Sequence, residues 1–154
     1  MLNRSKVSSF KILITDEGKI YKCTQNAKLS FTHPKDIGEA AAKVLSDPID
    51  DHNMCTYNIT GPESLSYYEL AERIGKIFDK KVEYVDLEDH QVFESLSKVF
   101  QDSFTAKVFV KLFQFYRREG ASHVSGDFKL LTGKEPRSWD VYLRDNRSLF
   151  VWIK

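Results

Sequence analysis

The sequence predicts an α/β fold, and three observations carry that prediction. Residues 54–60 and 81–87 are short β-prone runs, and a capped amphipathic helix of residues 64–78 stands between them. Gly61 and Pro62 supply a turn out of the first run. A second amphipathic helix, residues 36–45, precedes the unit. Strand, turn, helix and strand in that order is the pattern of a βαβ unit, which implies parallel neighbours and a right-handed crossover.

Taken from the beginning, residues 9–14 and 20–23 read as the arms of a hairpin around a polar turn that contains Gly18. The residues before Ser8 are polar and expected to be loose. In the first helix Asp36 is the expected N-cap, with Glu39 three residues on. Ile37, Ala40, Ala41, Val44 and Leu45 follow at helical spacing as one stripe. Consecutive alanines there allow a close approach to a sheet. The second helix has the clearest local signature. Ser66 and Glu69 form a capping box, Leu65 and Leu70 a hydrophobic staple, and Tyr67, Leu70, Ala71, Ile74 and Ile77 or Phe78 its buried face.

Beyond Leu87 the pattern is helical. Residues 89–100 carry Val92, Phe93 and Leu96 at helix spacing, and residues 103–119 are followed by Gly120 in a C′ position. That second segment is apolar nearly all round (Phe104, Val108, Phe109, Val110, Leu112, Phe113, Phe115, Tyr116), so it is expected to be covered on nearly all sides. Core and pocket wall is its expected role, with contact to a partner as the alternative. A membrane-surface helix is disfavoured for want of a basic polar face. Residues 127–131 form a short helix closed by Gly133, and Ser138 caps a last one lined by Trp139, Tyr142, Leu143 and Leu149 or Phe150. No repeat, low-complexity tract or long linker divides the chain, so residues 1–154 are read as one domain.

At 154 residues the chain is long enough to bury a core, and 42% hydrophobic with 29% charged residues is the composition of a globular protein. A formal net charge of +1 provides no basic field for nucleic acid or an anionic membrane. Cys23 and Cys55 form neither a disulfide framework nor a metal set. No apolar run approaches the ~18 residues of a spanning helix, and the start has no signal-peptide apolar region, so the expected location is cytoplasmic.

Candidate chemistry is sparse. His33 lies just before a helix N-terminus, with Phe31 beside it, where α/β proteins place ligand contacts; an ordinary loop histidine is the commoner reading. Gly61 and Pro62 follow the carboxyl end of an expected strand, the edge where open α/β sheets bind ligands, or else make only a tight turn. Asp47, Asp50, Asp51 and His52 have no metal-ligand spacing, and His90 and His123 have no ligating partners. The Asn58 sequon falls within an expected strand and is discounted. The residues therefore yield no catalytic set, no cofactor-binding motif and no metal site. Phe31, His33, Gly61 and Pro62 stand as a candidate substrate pocket.

Three segments carry a family resemblance. Residues 30–48 resemble the F-x-D-x-x-D-I-G-E-A-A-A-x-V-L-x-D-P stretch late in NmrA-like proteins, atypical members of the extended short-chain dehydrogenase/reductase group. Residues 57–66 are similar to their Y-x-L-T-G-P-E-x-L-S. Residues 133–150 resemble their closing G-x-x-P-R-S-F … D-N … F. The family's aspartate at the third position of the first motif is His33 here, so that carboxylate's role does not carry over. The resemblance implies an incomplete Rossmann-type fold, its last strands and helices, with a mostly helical substrate-side subdomain. It also implies a nicotinamide dinucleotide, NAD(P), used either to reduce small carbonyl or quinone-like substrates or to sense redox state while binding a regulatory partner.

The family's glycine-rich G-x-x-G-x-x-G turn, where main-chain N–H groups meet a pyrophosphate, has no counterpart among the seven glycines, and no Tyr is followed by Lys four residues on. The chain thus resembles the C-terminal, substrate-side half alone. By itself it is expected neither to bind NAD(P) tightly nor to transfer hydride. A protein partner or a second copy is expected at the surface that would meet a nucleotide-binding half.

Overall fold

The structure, a computed structural model, describes residues 14–15 and 17–150, without the side chains of Glu119 and Leu149. In chain order the elements are β1 (Lys19–Lys22), α1 (Pro34–Ser46), α2 (Ile49–His52), α3 (Tyr67–Phe78), β2 (Glu83–Asp86), α4 (Asp89–Phe100), α5 (Ser103–Glu119), α6 (Asp127–Thr132) and α7 (Trp139–Asp145), with a 3₁₀ turn (Arg147–Leu149) at the close. The two strands are parallel, Lys19 opposite Glu83 and Lys22 opposite Asp86. Helices supply the rest.

Two strand expectations are corrected. Residues 54–60 form no strand, and the parallel neighbour of β2 is β1. Side chains, not a ladder, take up the polar groups of that segment. The Thr32 hydroxyl donates to the Ile59 carbonyl at 3.0 Å, the Asn58 N–H donates to Asp127 at 2.7 Å, and the Ser125 N–H donates to the Thr60 hydroxyl at 2.9 Å. The crossover between parallel strands therefore runs from β1 through α1, α2 and α3. The first hairpin arm lies outside the described residues except for Ile14, which bridges antiparallel to Ile20. Gly18, at φ +77°, makes the turn, and a Cβ on it would sit 2.4 Å from the Lys81 carbonyl oxygen, so β1 enters beside β2 only with glycine there.

α3 is the core helix, and it is built as its sequence implies. Ser66 caps it and Glu69 returns the bond to the Ser66 N–H at 2.7 Å, while Tyr67, Leu70, Ala71, Ile74 and Phe78 are buried. They pack with Ile20, Leu29, Tyr84, Leu143 and Phe150, which joins β1, β2 and α7 around one helix. A second cluster holds α4 to α5 through Val92, Val110 and Phe113, and a third sets Ala40 of α1 against Phe128 and Leu131 of α6.

α1 differs from expectation. Its N-cap is His33, immediately ahead of Pro34 and Lys35, and Asp36 lies inside the first turn. It packs on α6, not on the strands, and only Ala40 of its apolar stripe is buried; Ile37 is 52% exposed and Leu45 85%. α5 also keeps an open side. Phe104, Val108 and Phe115 are exposed beside exposed Lys107, Lys111 and Arg118, because α4 and β1 cover only the opposite face. Among the described residues no helix is long and apolar enough to cross a membrane.

The contrast between α3 and α1 sets a stability expectation. Leu70→Ala, at a position with no exposure, is expected to lower unfolding free energy by about 2–5 kcal/mol. Leu45→Ala is expected to stay within about 0.5 kcal/mol. Urea unfolding of both variants measures the difference directly.

Candidate functional site

The candidate residues are drawn together by a loop that no regular element contains. Leu29 exchanges two main-chain hydrogen bonds with Leu65, each 3.0 Å, and the Ser30 N–H donates to the Ala121 carbonyl at 2.9 Å. This three-way junction presents Phe31 to the turn at Gly61. A Cβ on Gly61 would lie 2.1 Å from the Phe31 carbonyl oxygen, so the two chains touch main chain to main chain. Gly61 is buried for that reason. Pro62 next to it is exposed.

Aromatic rings continue inward from Phe31. Its ring stacks on Trp139 (centroids 5.5 Å, 13° between planes), and Trp139 stacks on Tyr142 (4.3 Å, 7°). On its other side Phe31 meets Tyr67 edge-on at 5.8 Å, and Tyr67 stacks on Tyr84 at 5.7 Å. Burial pushes the phenols of Tyr67 and Tyr142 upward, so both are neutral donors throughout the physiological range.

His33 closes the row, its ring edge-on to Tyr142 at 5.5 Å, and it is only 3% exposed. Its Nδ1 accepts from the Lys35 N–H at 3.1 Å, which caps α1 and fixes the proton on Nε2. Nε2 has no hydrogen-bond partner among the described residues; the nearest carboxylate oxygen, on Asp145, is 3.9 Å away and is held by Lys35 Nζ at 2.6 Å. Desolvation holds the imidazole below its ordinary value, opposed by Asp36 and reinforced by Arg137 and Lys35. His33 is thus a buried helix cap whose imidazole is held toward its neutral form.

Asp36, fully buried one turn on, is the charged centre of the region. Its carboxylate accepts from the Arg137 N–H at 2.7 Å and from the Arg137 guanidinium, which also reaches Glu39 at 3.2 Å. Lys134 completes the group on Glu39. Reading the sequence locally assigned Asp36 to the cap and missed this pair. The only signal was an Asp at the start of a helix with no local cation at pairing distance, since the partner lies 101 residues away.

The other candidates resolve as structure. His52 joins the Tyr57 hydroxyl at 2.8 Å and Asp47 at 3.0 Å, a latch across the α1–α2 corner, while Asp50 and Asp51 stay exposed. No group of three ligating side chains gathers among the described residues. Cys23 is fully buried and its thiol is pushed up to about 12, chiefly by burial, so it is no nucleophile. An open depression of about 470 Å³ lies at the far end of α3, lined by Ala71, Gly75, Asp79 and Val82, and includes none of the four candidate residues. What the Phe31–His33–Gly61 region offers is an aromatic wall and a rigid turn, with the exposed Lys35–Asp145 ion pair at its edge.

Two expectations follow from the buried charges. Arg137→Met leaves Asp36 buried without its cation and is expected to destabilise the chain by about 3–5 kcal/mol, with Asp36→Asn in the same chain recovering part of the loss in a double-mutant cycle. For His33 the folded imidazole titrates below the unfolded one, which sits near about 6.5, so the unfolded chain binds more protons in that interval and stability falls as pH drops below it. His33→Asn keeps a cap acceptor and should flatten the melting temperature between about pH 7 and pH 5.

No protein-family model matches the chain. Its curated relatives include the uncharacterised oxidoreductase YesF of Bacillus subtilis, 34% identical over 83% of this chain and 44% of YesF. Agroclavine dehydrogenase of Claviceps fusiformis is 26% identical over 91% of this chain and 47% of its own, and the NAD(P)H azoreductase of Xenophilus azovorans is 22% identical over 89% and 47%. In structure, 86% of the chain superposes on 45% of the triphenylmethane reductase of Citrobacter sp. solved with NADP(H), at a TM-score of 0.73 and 19% identity. It superposes equally on 47% of an NADPH-dependent quinone oxidoreductase of Escherichia coli, TM-score 0.73 at 18% identity. The chain therefore spans about half the length of the relatives it matches, its region is their C-terminal half, and its fold is the corresponding part of Rossmann-type reductases.

Proposed function

We propose that this chain is the substrate-side portion of an NAD(P)-associated protein of the NmrA-like kind, an oxidoreductase or redox sensor, and that on its own it transfers no hydride. One observation carries the reading. The fold superposes on less than half of NADP(H) reductases, while these 154 residues hold no glycine-rich turn and no Tyr–Lys pair. The aromatic wall of Phe31, Trp139 and Tyr142, with Gly61 and Pro62 at its edge, suits one side of a pocket for a flat, carbonyl- or quinone-like substrate. His33 steadies that wall from behind. Chemistry at the reacting carbon would come from the dinucleotide, held by another half.

A second reading, a regulatory module without enzymatic activity that binds a protein partner, is favoured by the bare outer face of α1. Titration with NADPH and with NADH separates activity of the chain itself from both readings. No saturation is expected up to about 100 μM, weaker than about −5.5 kcal/mol. A dissociation constant in the low micromolar range, about −8 kcal/mol, would overturn the proposal.

A further inference from the structure

Between Ser103 and Arg118, α5 holds four basic residues and no acidic one. Arg117 turns inward, to Asp89 and to the Cys23 carbonyl. The other three, Lys107, Lys111 and Arg118, are exposed, and no ion pair among the described residues engages them. They share the outer arc with Phe104, 74% exposed, Val108, 50%, and Phe115, 40%. At about 3.6 residues per turn these six positions fall within about 100° of the helix and about 21 Å of its length. The opposite face is closed. Ala106, Val110 and Phe113 are buried there, the last two against Val92 of α4. The Asp102 carboxylate at the mouth of the helix is taken up by the N–H groups of Phe104 and Thr105.

Phe104, Val108, Lys111, Phe115 and Arg118 recur at alternating steps of four and three, the spacing by which one helix packs along another. We propose that this face is the docking seam for an amphipathic helix of a separate protein. That helix sets apolar residues against Phe104, Val108 and Phe115 and carboxylates against Lys111 and Arg118, with Lys107 at the flank. The cations choose the occupant. A second copy in register would set Lys111 against Lys111 whether it ran parallel or antiparallel, a like-charge contact that interfaces select against. An anionic bilayer takes up apolar side chains that stand together, and here Lys111 stands between Val108 and Phe115. A helix with acidic residues at the matching steps covers the apolar area and neutralises the cations at once, and the two charges fix its register. The seam owes nothing to a dinucleotide and stands whether or not the chain belongs to a reductase.

Designed helices titrated against the whole chain test the seam. Two labelled peptides, about three heptads long, carry leucine opposite the apolar positions and glutamate opposite Lys111 and Arg118, one ordered for parallel and one for antiparallel packing. Two further peptides carry lysine in place of those glutamates. One glutamate peptide is expected to saturate the chain with a dissociation constant below about 100 μM, at least about tenfold tighter than its lysine counterpart and weakened by added salt. In the chain carrying Lys111→Glu and Arg118→Glu, both at exposed positions, the preference is expected to reverse, a gain of lysine-peptide binding that a misfolded variant could not show. Equal affinity for the two charge types overturns the proposal, as does failure of both glutamate peptides to saturate, or a variant that loses binding without reversing the preference. Co-sedimentation with phosphatidylserine–phosphatidylcholine vesicles that the same substitutions abolish, while the peptides stay unbound, overturns it in favour of a membrane face. Concentration-dependent dimerisation that Phe104→Ser abolishes overturns it in favour of a second copy.

Discussion

A carboxylate removed from water must be given a cation, and for Asp36 that cation arrives from 101 residues further along the chain. Arg137 meets it twice, through the main-chain N–H and through the guanidinium, so the loop before α7 is fixed in both position and orientation. The Trp139 side of the candidate site rests on that fixture. It carries Trp139 and Tyr142 against Phe31 and sets Asp145 near His33. It also ties α1, whose Ala40 and Val44 pack beside Phe128 and Leu131 of α6, to the end of the chain. Exchanging the pair for apolar groups of similar volume need not destabilise the fold, whereas removing either partner alone strands the other.

The legible part of this fold was the part decided within one or two turns of chain. The Ser66–Glu69 box and the spacing of Tyr67, Leu70, Ala71 and Ile74 name the core helix and its buried face, because capping and periodicity are local. Gly120 and Gly133, both at positive φ, end α5 and α6 where their positions imply. Residues 54–60 misled because a β-prone run becomes a strand only with a neighbour to pair with, and the described residues give it side-chain partners instead. Asp36 misled in the opposite sense. His33 takes the cap and leaves the Asp36 carboxylate for a distant arginine.

Periodicity also overstated coverage. A stripe predicts which side of a helix could be buried, and says nothing of whether a second layer exists. α5 and α1 each have one face against the core and another left open, yet the two open faces differ in kind. On α5, exposed Lys107, Lys111 and Arg118 lie among Phe104, Val108 and Phe115, a mixed surface that water tolerates. On α1 no charge interrupts the exposed residues from Ile37 to Leu45 apart from those paired on the other flank. The open face of α1 is the apolar one of the two.

The same division separates what packs this chain from what would carry a reaction. The contacts that hold α3 among β1, β2 and α7, and Asp36 on Arg137, are made within the chain. Reaction chemistry in a nicotinamide enzyme depends on a different feature, main-chain N–H groups converging on a pyrophosphate, and those come from a glycine-rich turn. Gly18 and Gly61 are engaged instead in letting main chain pass main chain, at Lys81 and at Phe31. An aromatic wall, a neutral buried imidazole and a rigid turn can shape a pocket and exclude water from it.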